Sequence, residues 1–381
     1  MITALVNGRV LRDGVFAPGL AVLVEGRLVA DVVASDDPRV LAARRHDLRG
    51  AQLVPGFIDT QVNGGGGVLF NEAPTVETIR VIGAAHRIHG TCGFLPTLIS
   101  DDLAVIERAL LATRAAIEAR VSGVLGIHIE GPFLNPERKG VHDPARLRAL
   151  DDDAIALLST PTGGKTVVTL APEMTTPQAI LELDRAGVLV CAGHTNATSA
   201  QIGAALDAGL RGFTHLFNAM SQLGSREPGA VGAALDDDSS WCGLIVDGIH
   251  VSPQTLRLAL RCKPAEKFML VTDAMSNIGN GDGDFLIQGK RIRVRDGRLL
   301  DEDGTLAGAN LTMAGAVANA IKLLGATPAT AVNMASANPA AFLGLDRELG
   351  RIAPGYRANF VVADDDFAVR ETWIDGERFG A

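Results

Sequence analysis

An α/β fold is predicted: a closed (β/α)8 TIM-type barrel with a small β-sandwich domain formed from both chain termini. Three observations predict it. Eight short apolar runs recur through the middle of the chain, segments of helical spacing separate them, and the two ends share a punctuation of short strands and tight turns. A length of 381 residues holds a barrel of roughly 250 residues and a smaller domain beside it.

The first element is the N-terminal β piece. Ala4–Val6, Arg9–Leu11, Leu20–Val24 and Arg27–Val33 read as strands, with Asn7-Gly8 and Glu25-Gly26 as turns. The C-terminus repeats the style in Asn359–Val362, Glu371–Ile374 and Glu377–Phe379, with a turn at Asp375-Gly376. Neither piece is long enough to bury its own core, so residues 1–52 and 350–381 are expected to combine into one β domain.

Residues 53–349 then form the barrel. Its strands are expected in Leu53–Gln61, Gly93–Leu98, Val124–Gly131, Thr166–Glu173, Val188–Thr195, Gly212–Asn218, Trp241–His250 and Phe268–Met275. Between them Ile79, Ile82, Gly83 and His86, or Leu103, Ile106, Leu110 and Ile117, recur at helical spacing. A β insertion at about 285–303, made of Phe285–Ile287, Arg291–Arg295 and Arg298–Leu300, precedes a last helix near Ala314–Leu324.

Composition excludes several classes of partner. With 35 basic against 44 acidic side chains, a net charge of -9 and no Lys/Arg cluster, no nucleic-acid surface is expected. The longest uncharged stretches, Gly304–Ile321 and Leu323–Leu345, are rich in Gly, Ala, Asn and Pro rather than Leu and Phe, so no membrane span is expected. The N-terminus lacks a basic start and a long apolar run, and a cytoplasmic location is expected. Cys92, Cys191, Cys242 and Cys262 stand too far apart for a Cys-x-x-Cys site and read as buried small apolar side chains.

Reactive groups of such barrels sit at the carboxyl ends of the strands. Glu130, His194 and His215 occupy three of these ends, and two imidazoles with one carboxylate make a catalytic zinc or ferrous site with an open position. A cation there lowers the pKa of the water it binds to about 7. Asp273, at a fourth strand end, is placed to take a proton from that water and pass it to a leaving group, which describes hydrolysis of an amide or ester. His128 lies two residues before Glu130 and is read as core or as support for the ligands. His46, His86 and His89, in a loop and a helical stretch, are assigned no chemistry, and Glu173 is a reserve carboxylate.

The motifs Pro55-Gly56-Phe57-Ile58-Asp59-Thr60-Gln61-Val62-Asn63-Gly64, Gly126-Ile127-His128-Ile129-Glu130-Gly131-Pro132, Ala192-Gly193-His194-Thr195-Asn196, Thr214-His215-Leu216-Phe217-Asn218-Ala219-Met220, Arg226-Glu227-Pro228-Gly229 and Asp247-Gly248-Ile249-His250 occur in this order. Together they resemble the N-acetylglucosamine-6-phosphate deacetylases of the amidohydrolase superfamily, over essentially the whole chain. The resemblance implies metal-dependent hydrolysis of N-acetyl-D-glucosamine 6-phosphate to D-glucosamine 6-phosphate and acetate, in amino sugar metabolism and cell-wall sugar recycling. It implies that Glu130, His194 and His215 hold the metal, that Asp273 is the acid/base and that His142 polarises the acetyl carbonyl. It further implies sugar phosphate contacts at Val141, His142, Asn218, Ala219, Arg226, His250, Leu306, Ala307 and Gly308. A homodimer is implied, with Arg226 reaching the neighbouring active site.

Two positions depart from the family pattern. Asp59-Thr60-Gln61 stands where most of the superfamily carries His-x-His for a second metal, and an amide replaces an imidazole poorly. One divalent metal per subunit is therefore expected, zinc foremost with iron, manganese or cobalt as substitutes, and Gln61 near the site through water or substrate. Ser225 replaces a usual glycine, which stiffens the loop without altering its charge. The Pro136–His142 loop reads as a mobile cover. Other readings keep the barrel and change the substrate, to N-acetylgalactosamine 6-phosphate or a cyclic amide, or make the chain a non-catalytic amino sugar phosphate sensor.

Overall fold

The computed structural model describes residues 1–281 and 283–380. Both chain ends supply the β domain. One sheet orders Leu28–Ala34, Leu20–Glu25, Ile2–Val6 and Arg44–Asp47; a second orders Glu377–Gly380, Val369–Ile374, Phe360–Ala363, Gln52–Pro55, Arg9–Arg12 and Val15–Ala17. Leu5, Val22 and Val24 of the first sheet bury against Val10, Leu53, Phe360 and Trp373 of the second. This core contains residues from both termini, so neither end can form it alone.

The expected run Leu53–Gln61 divides. Gln52–Pro55 pairs antiparallel with Phe360–Ala363 in the terminal sheet, and the barrel strand begins at Phe57. Gly56 is the joint, because a Cβ there would lie 2.4 Å from Cys92 Sγ. His46 sits on the edge strand Arg44–Asp47 rather than in a loop, with Nε2 2.8 Å from Glu371 Oε2.

Eight parallel strands form the barrel in chain order: Phe57–Val62, Thr91–Ile99, Gly126–Glu130, Lys165–Leu170, Leu189–Ala192, Gly212–Phe213, Trp241–Leu244 and Phe268–Leu270. Helices between them turn an apolar face inward. On Val76–Arg87 the buried residues are Thr78, Ile79, Ile82, Ala85 and His86, and the Thr75 hydroxyl accepts the Thr78 N–H at 3.2 Å to start the helix. Closure between the first and last strands uses side chains as well as backbone. Asp273 N–H donates to Gln61 O at 3.0 Å, and Thr272 N–H to Asp59 Oδ1 at 3.2 Å. Burial pushes the Asp59 carboxyl up to about 7, against the lowering effect of its Thr272 hydrogen bonds.

Several strands stop earlier than their apolar runs. The sixth ends at Phe213 because His215, Phe217 and Ala219 take left-handed φ values of 35°, 80° and 49°, which no ladder accommodates. At the amino end of the barrel, Ile58, Leu95, Val167 and Met269 pack on Phe342 and Leu343, leaving the carboxyl end as the mouth. The insertion is a four-stranded antiparallel sheet, Phe285–Ile287, Lys290–Arg295, Arg298–Leu300 and Leu306–Ala309, and so extends past the expected 303. Of the cysteines, Cys262 is exposed at a helix end and only the other three are buried. No helix among the described residues is long and apolar enough to cross a membrane.

Gly126 opens the third strand at φ 156°, and a Cβ there would lie 1.8 Å from Lys165 O. Gly126→Ala is expected to force the third and fourth strands apart at a cost of roughly 3 kcal/mol. A thermal unfolding midpoint equal to wild type would contradict that contact.

Candidate active site

Glu130 ends the third strand, His194 follows the fifth and His215 the sixth, and the register of the parallel strands brings all three to the mouth. Their ligand atoms lie within 4.8 Å of one another, and all three residues are buried. His215 Nε2 is 2.9 Å from Glu130 Oε1, His194 Nε2 is 3.3 Å from the same oxygen, and the two Nε2 atoms are 3.1 Å apart. A tetrahedral cation with bonds of 2.0–2.1 Å needs its donors about 3.3 Å apart, so this spacing fits one. His194 Nδ1 donates to Arg138 O at 2.7 Å, which leaves its Nε2 lone pair facing the cluster. His215 Nδ1, also buried, has no hydrogen-bond partner among the described residues.

Burial would raise the Glu130 carboxyl, but hydrogen bonds from His194 and His215 hold it well below the usual carboxylate range. Burial would lower His215, and the Glu130 carboxylate outweighs it, so the imidazole sits above its ordinary value. Asp273, after the eighth strand, is pushed up to about 6 by burial and then by the Glu130 charge. Its Oδ1 accepts the amides of Asn63 at 2.7 Å and Gln61 at 3.1 Å. Gln61 Nε2 also lies 3.2 Å from both Glu130 oxygens, so it contacts the two carboxylates directly rather than through water or substrate.

The mouth holds a cavity of about 450 Å³ lined by Glu130, His194, His215 and Asp273, and by Val141, His142, Asn218, Ala219, His250, Leu306 and Gly308 among others. His142 is buried, its Nδ1 2.7 Å from Ser100 Oγ, and burial followed by the nearby His194 lowers it to about 3, so the ring is neutral. His250 Nδ1 is 2.6 Å from Asp247 Oδ2, which turns its other nitrogen away from that carboxylate. Asn218 Nδ2 donates to His215 O at 3.1 Å.

One expectation, Glu173, needs correction, and two of the expected contact residues, Ala307 and Arg226, lie off the lining of this cavity. Ala307 is buried in the insertion core with Ile292 and Leu299; it alternates with Leu306 and Gly308 on a strand, so its side chain does not line the cavity. Glu173 is no reserve base: it accepts from Asn135 Nδ2 at 2.9 Å and Asn196 N–H at 2.6 Å, buttressing the loop that carries His194. Arg226 is exposed and lies outside this chain's own cavity. His128 is a core group, between Thr169 Oγ1 at 2.8 Å and Thr97 Oγ1 at 3.3 Å. The sequence reading missed Asn63, Ser100 and Asp247. Asn63 had a signal, since Asp59, Gln61 and Asn63 share the two-residue period of one strand face.

The model of the Amidohydrolase family matches residues 52–379. An N-acetylgalactosamine-6-phosphate deacetylase of Shewanella sp. (strain ANA-3) is 42% identical, covering 97% of this chain and 94% of the relative. An N-acetylglucosamine-6-phosphate deacetylase of Haemophilus influenzae is 35% identical, covering 97% and 95%. The crystal structure of N-acetylglucosamine-6-phosphate deacetylase from Pasteurella multocida superposes with a TM-score of 0.96 at 35% identity, covering 100% of both chains. With likeness of this extent along nearly its whole length, the chain belongs to the amidohydrolase family.

Proposed function

We propose that this chain hydrolyses the acetamide of N-acetyl-D-glucosamine 6-phosphate to D-glucosamine 6-phosphate and acetate. The observation that carries the reading is the buried Glu130, His194 and His215 cluster with Asp273 beside it in one cavity. One divalent cation per subunit, held by those three residues, supplies Lewis acidity that makes water a nucleophile near neutral pH. Zinc suits the donor set, and iron, manganese or cobalt satisfy the same chemistry.

Asp273 Oδ1 is occupied by two amide donors, so Oδ2 is the oxygen that takes a proton from the attacking water. The water oxygen bonds to the acetyl carbon while His142 donates to the acetyl oxygen, where negative charge builds. The carbon–nitrogen bond then breaks, and Asp273 returns its proton to the departing nitrogen, leaving amine and acetate. Val141, Asn218, Ala219, His250, Leu306 and Gly308 are proposed to hold the sugar phosphate. Arg226 from a second copy of the chain is proposed to clamp the phosphate with its planar fork, as a homodimer would allow. A charged sugar phosphate does not cross a bilayer unaided, which supports the expected cytoplasmic location. A second reading takes the galactosamine epimer, because the Shewanella relative at 42% identity carries that name.

The metal-loaded protein is expected to release acetate from N-acetylglucosamine 6-phosphate with a higher kcat/KM than from its galactosamine epimer. The reverse ranking selects the second reading, and no release from either overturns both. Asp273→Asn should lose about 10²–10⁴ in kcat with its metal retained, whereas His215→Ala should lose metal and activity together.

Asp273 must be ionised to act as a base, and its folded pKa is raised to about 6. Activity therefore falls as pH drops through that value, and a bound cation, favouring the carboxylate, moves the limb to 6 or lower. An acid limb of kcat/KM above pH 7 would contradict the assignment.

Arg226→Ala is expected to raise KM for the 6-phosphate substrate by about 10- to 100-fold with little change in kcat. An unchanged KM would remove Arg226 from the phosphate site.

A further inference from the structure

Ser100 follows the second barrel strand and is fully buried. Its backbone N–H points at His142 Nδ1 from 3.3 Å, and its Oγ lies 2.7 Å from the same nitrogen. A backbone N–H can only donate. The Nδ1 atom that receives it must present a lone pair, and a neutral imidazole then carries its proton on Nε2.

We infer that Ser100 is a positioning residue whose hydroxyl, donating at 2.7 Å to the Nδ1 that the backbone N–H marks as an acceptor, holds His142 as the Nε2–H tautomer, so that the ring offers a donor rather than a lone pair to the acetyl oxygen. This rests on the acetamide reading above. The opposite tautomer would set a nitrogen lone pair against an oxygen gaining negative charge, which repels instead of stabilising it.

The surroundings hold Ser100 in place. Gly131, at φ 83°, leaves the room it needs, since a Cβ there would lie 2.3 Å from Ser100 Oγ. From the other side Gln288 Nε2 donates to Ser100 O at 3.0 Å and to Asp101 Oδ2 at 3.2 Å. Gln288 lies in the turn between Phe285–Ile287 and Lys290–Arg295, so the β insertion braces the residue that orients His142.

The test is a double-mutant cycle on the metal-loaded enzyme. Ser100→Ala should lower kcat about tenfold with KM and metal content unchanged, and Ser100→Thr, which keeps the hydroxyl, should recover most of that loss. In a His142→Gln background the same Ser100→Ala change should alter kcat less than about twofold, because the group it acts through is gone. Equal losses in both backgrounds, or no loss in the wild-type background, overturn the inference. A separate measurement needs no Ser100 variant: ¹⁵N spectra of histidine-labelled wild type, with His142 identified by its absence in His142→Gln, should show Nδ1 unprotonated. A protonated Nδ1 overturns the inference even if acetate is released. A wild type that binds metal but releases no acetate, with Nδ1 unprotonated, removes the acetamide reading and leaves the tautomer assignment standing.

Discussion

Burial of the Glu130 carboxylate at the barrel mouth is the constraint around which the other groups are arranged. A carboxylate only 2% exposed must be paired or it would take up a proton. The groups that pair it, His194, His215 and Gln61, come from the fifth, sixth and first strand ends, so no local segment supplies the solution. Ladder register does. Glu130 stands opposite Ile99 on one side and Thr169 on the other, which fixes its height in the barrel, and the neighbouring strands then bring the imidazoles to the same level.

The price of this convergence appears in the backbone. His194, His215 and Asp273 take φ values of 50°, 35° and 52°, a region that costs a residue other than glycine about 1 kcal/mol or more. Each turn is held by bonds from an adjoining segment. His194 O accepts the Asn135 N–H at 3.0 Å, Leu216 N–H donates to Gly243 O at 2.8 Å, and Asp273 O accepts the Ala309 N–H at 2.9 Å. The left-handed turns take the chain out of the ladder just where each side chain belongs to the mouth. Strain and placement therefore have a common origin.

The same turns mark where the sequence stops being legible. Eight apolar runs announced eight strands because fully buried parallel strands must be apolar on both faces. They did not announce where each strand ends, since Leu216 and Phe217 are as apolar in a left-handed turn as in a ladder. Glu130, His194, His215 and Asp273 were legible because ionisable groups beside apolar runs need a reason to be buried. Ser100 was not, being an ordinary polar residue whose partner, His142, is 42 positions away, and Asn63 had only the two-residue period it shares with Asp59 and Gln61 to mark it, its partner Asp273 being 210 positions away. Glu173 misled for the converse reason. A carboxylate at a strand end looks the same in sequence whether it faces the cavity or, as here, the amides of a neighbouring loop.

The division of labour between the barrel and its additions follows from these contacts. All three candidate metal donors belong to the barrel, but the groups that orient the remaining polar atoms depend on what has been attached to it. The terminal β domain runs through Gly56 directly into the first strand and so sets the register of Asp59, Gln61 and Asn63, which hold the eighth strand and the Asp273 carboxylate. The insertion holds the backbone of Asp273 through Ala309 and that of Ser100 through Gln288. Residues far from the cluster in sequence thus hold the Asp273 carboxylate and brace Ser100 beside His142, and one of them, Gln61, also reaches Glu130. The three candidate donors therefore stand on barrel strand ends, while the insertion reaches the segments that carry Asp273 and Ser100, and the β domain joins the first strand, whose end carries the amides that meet the Asp273 carboxylate.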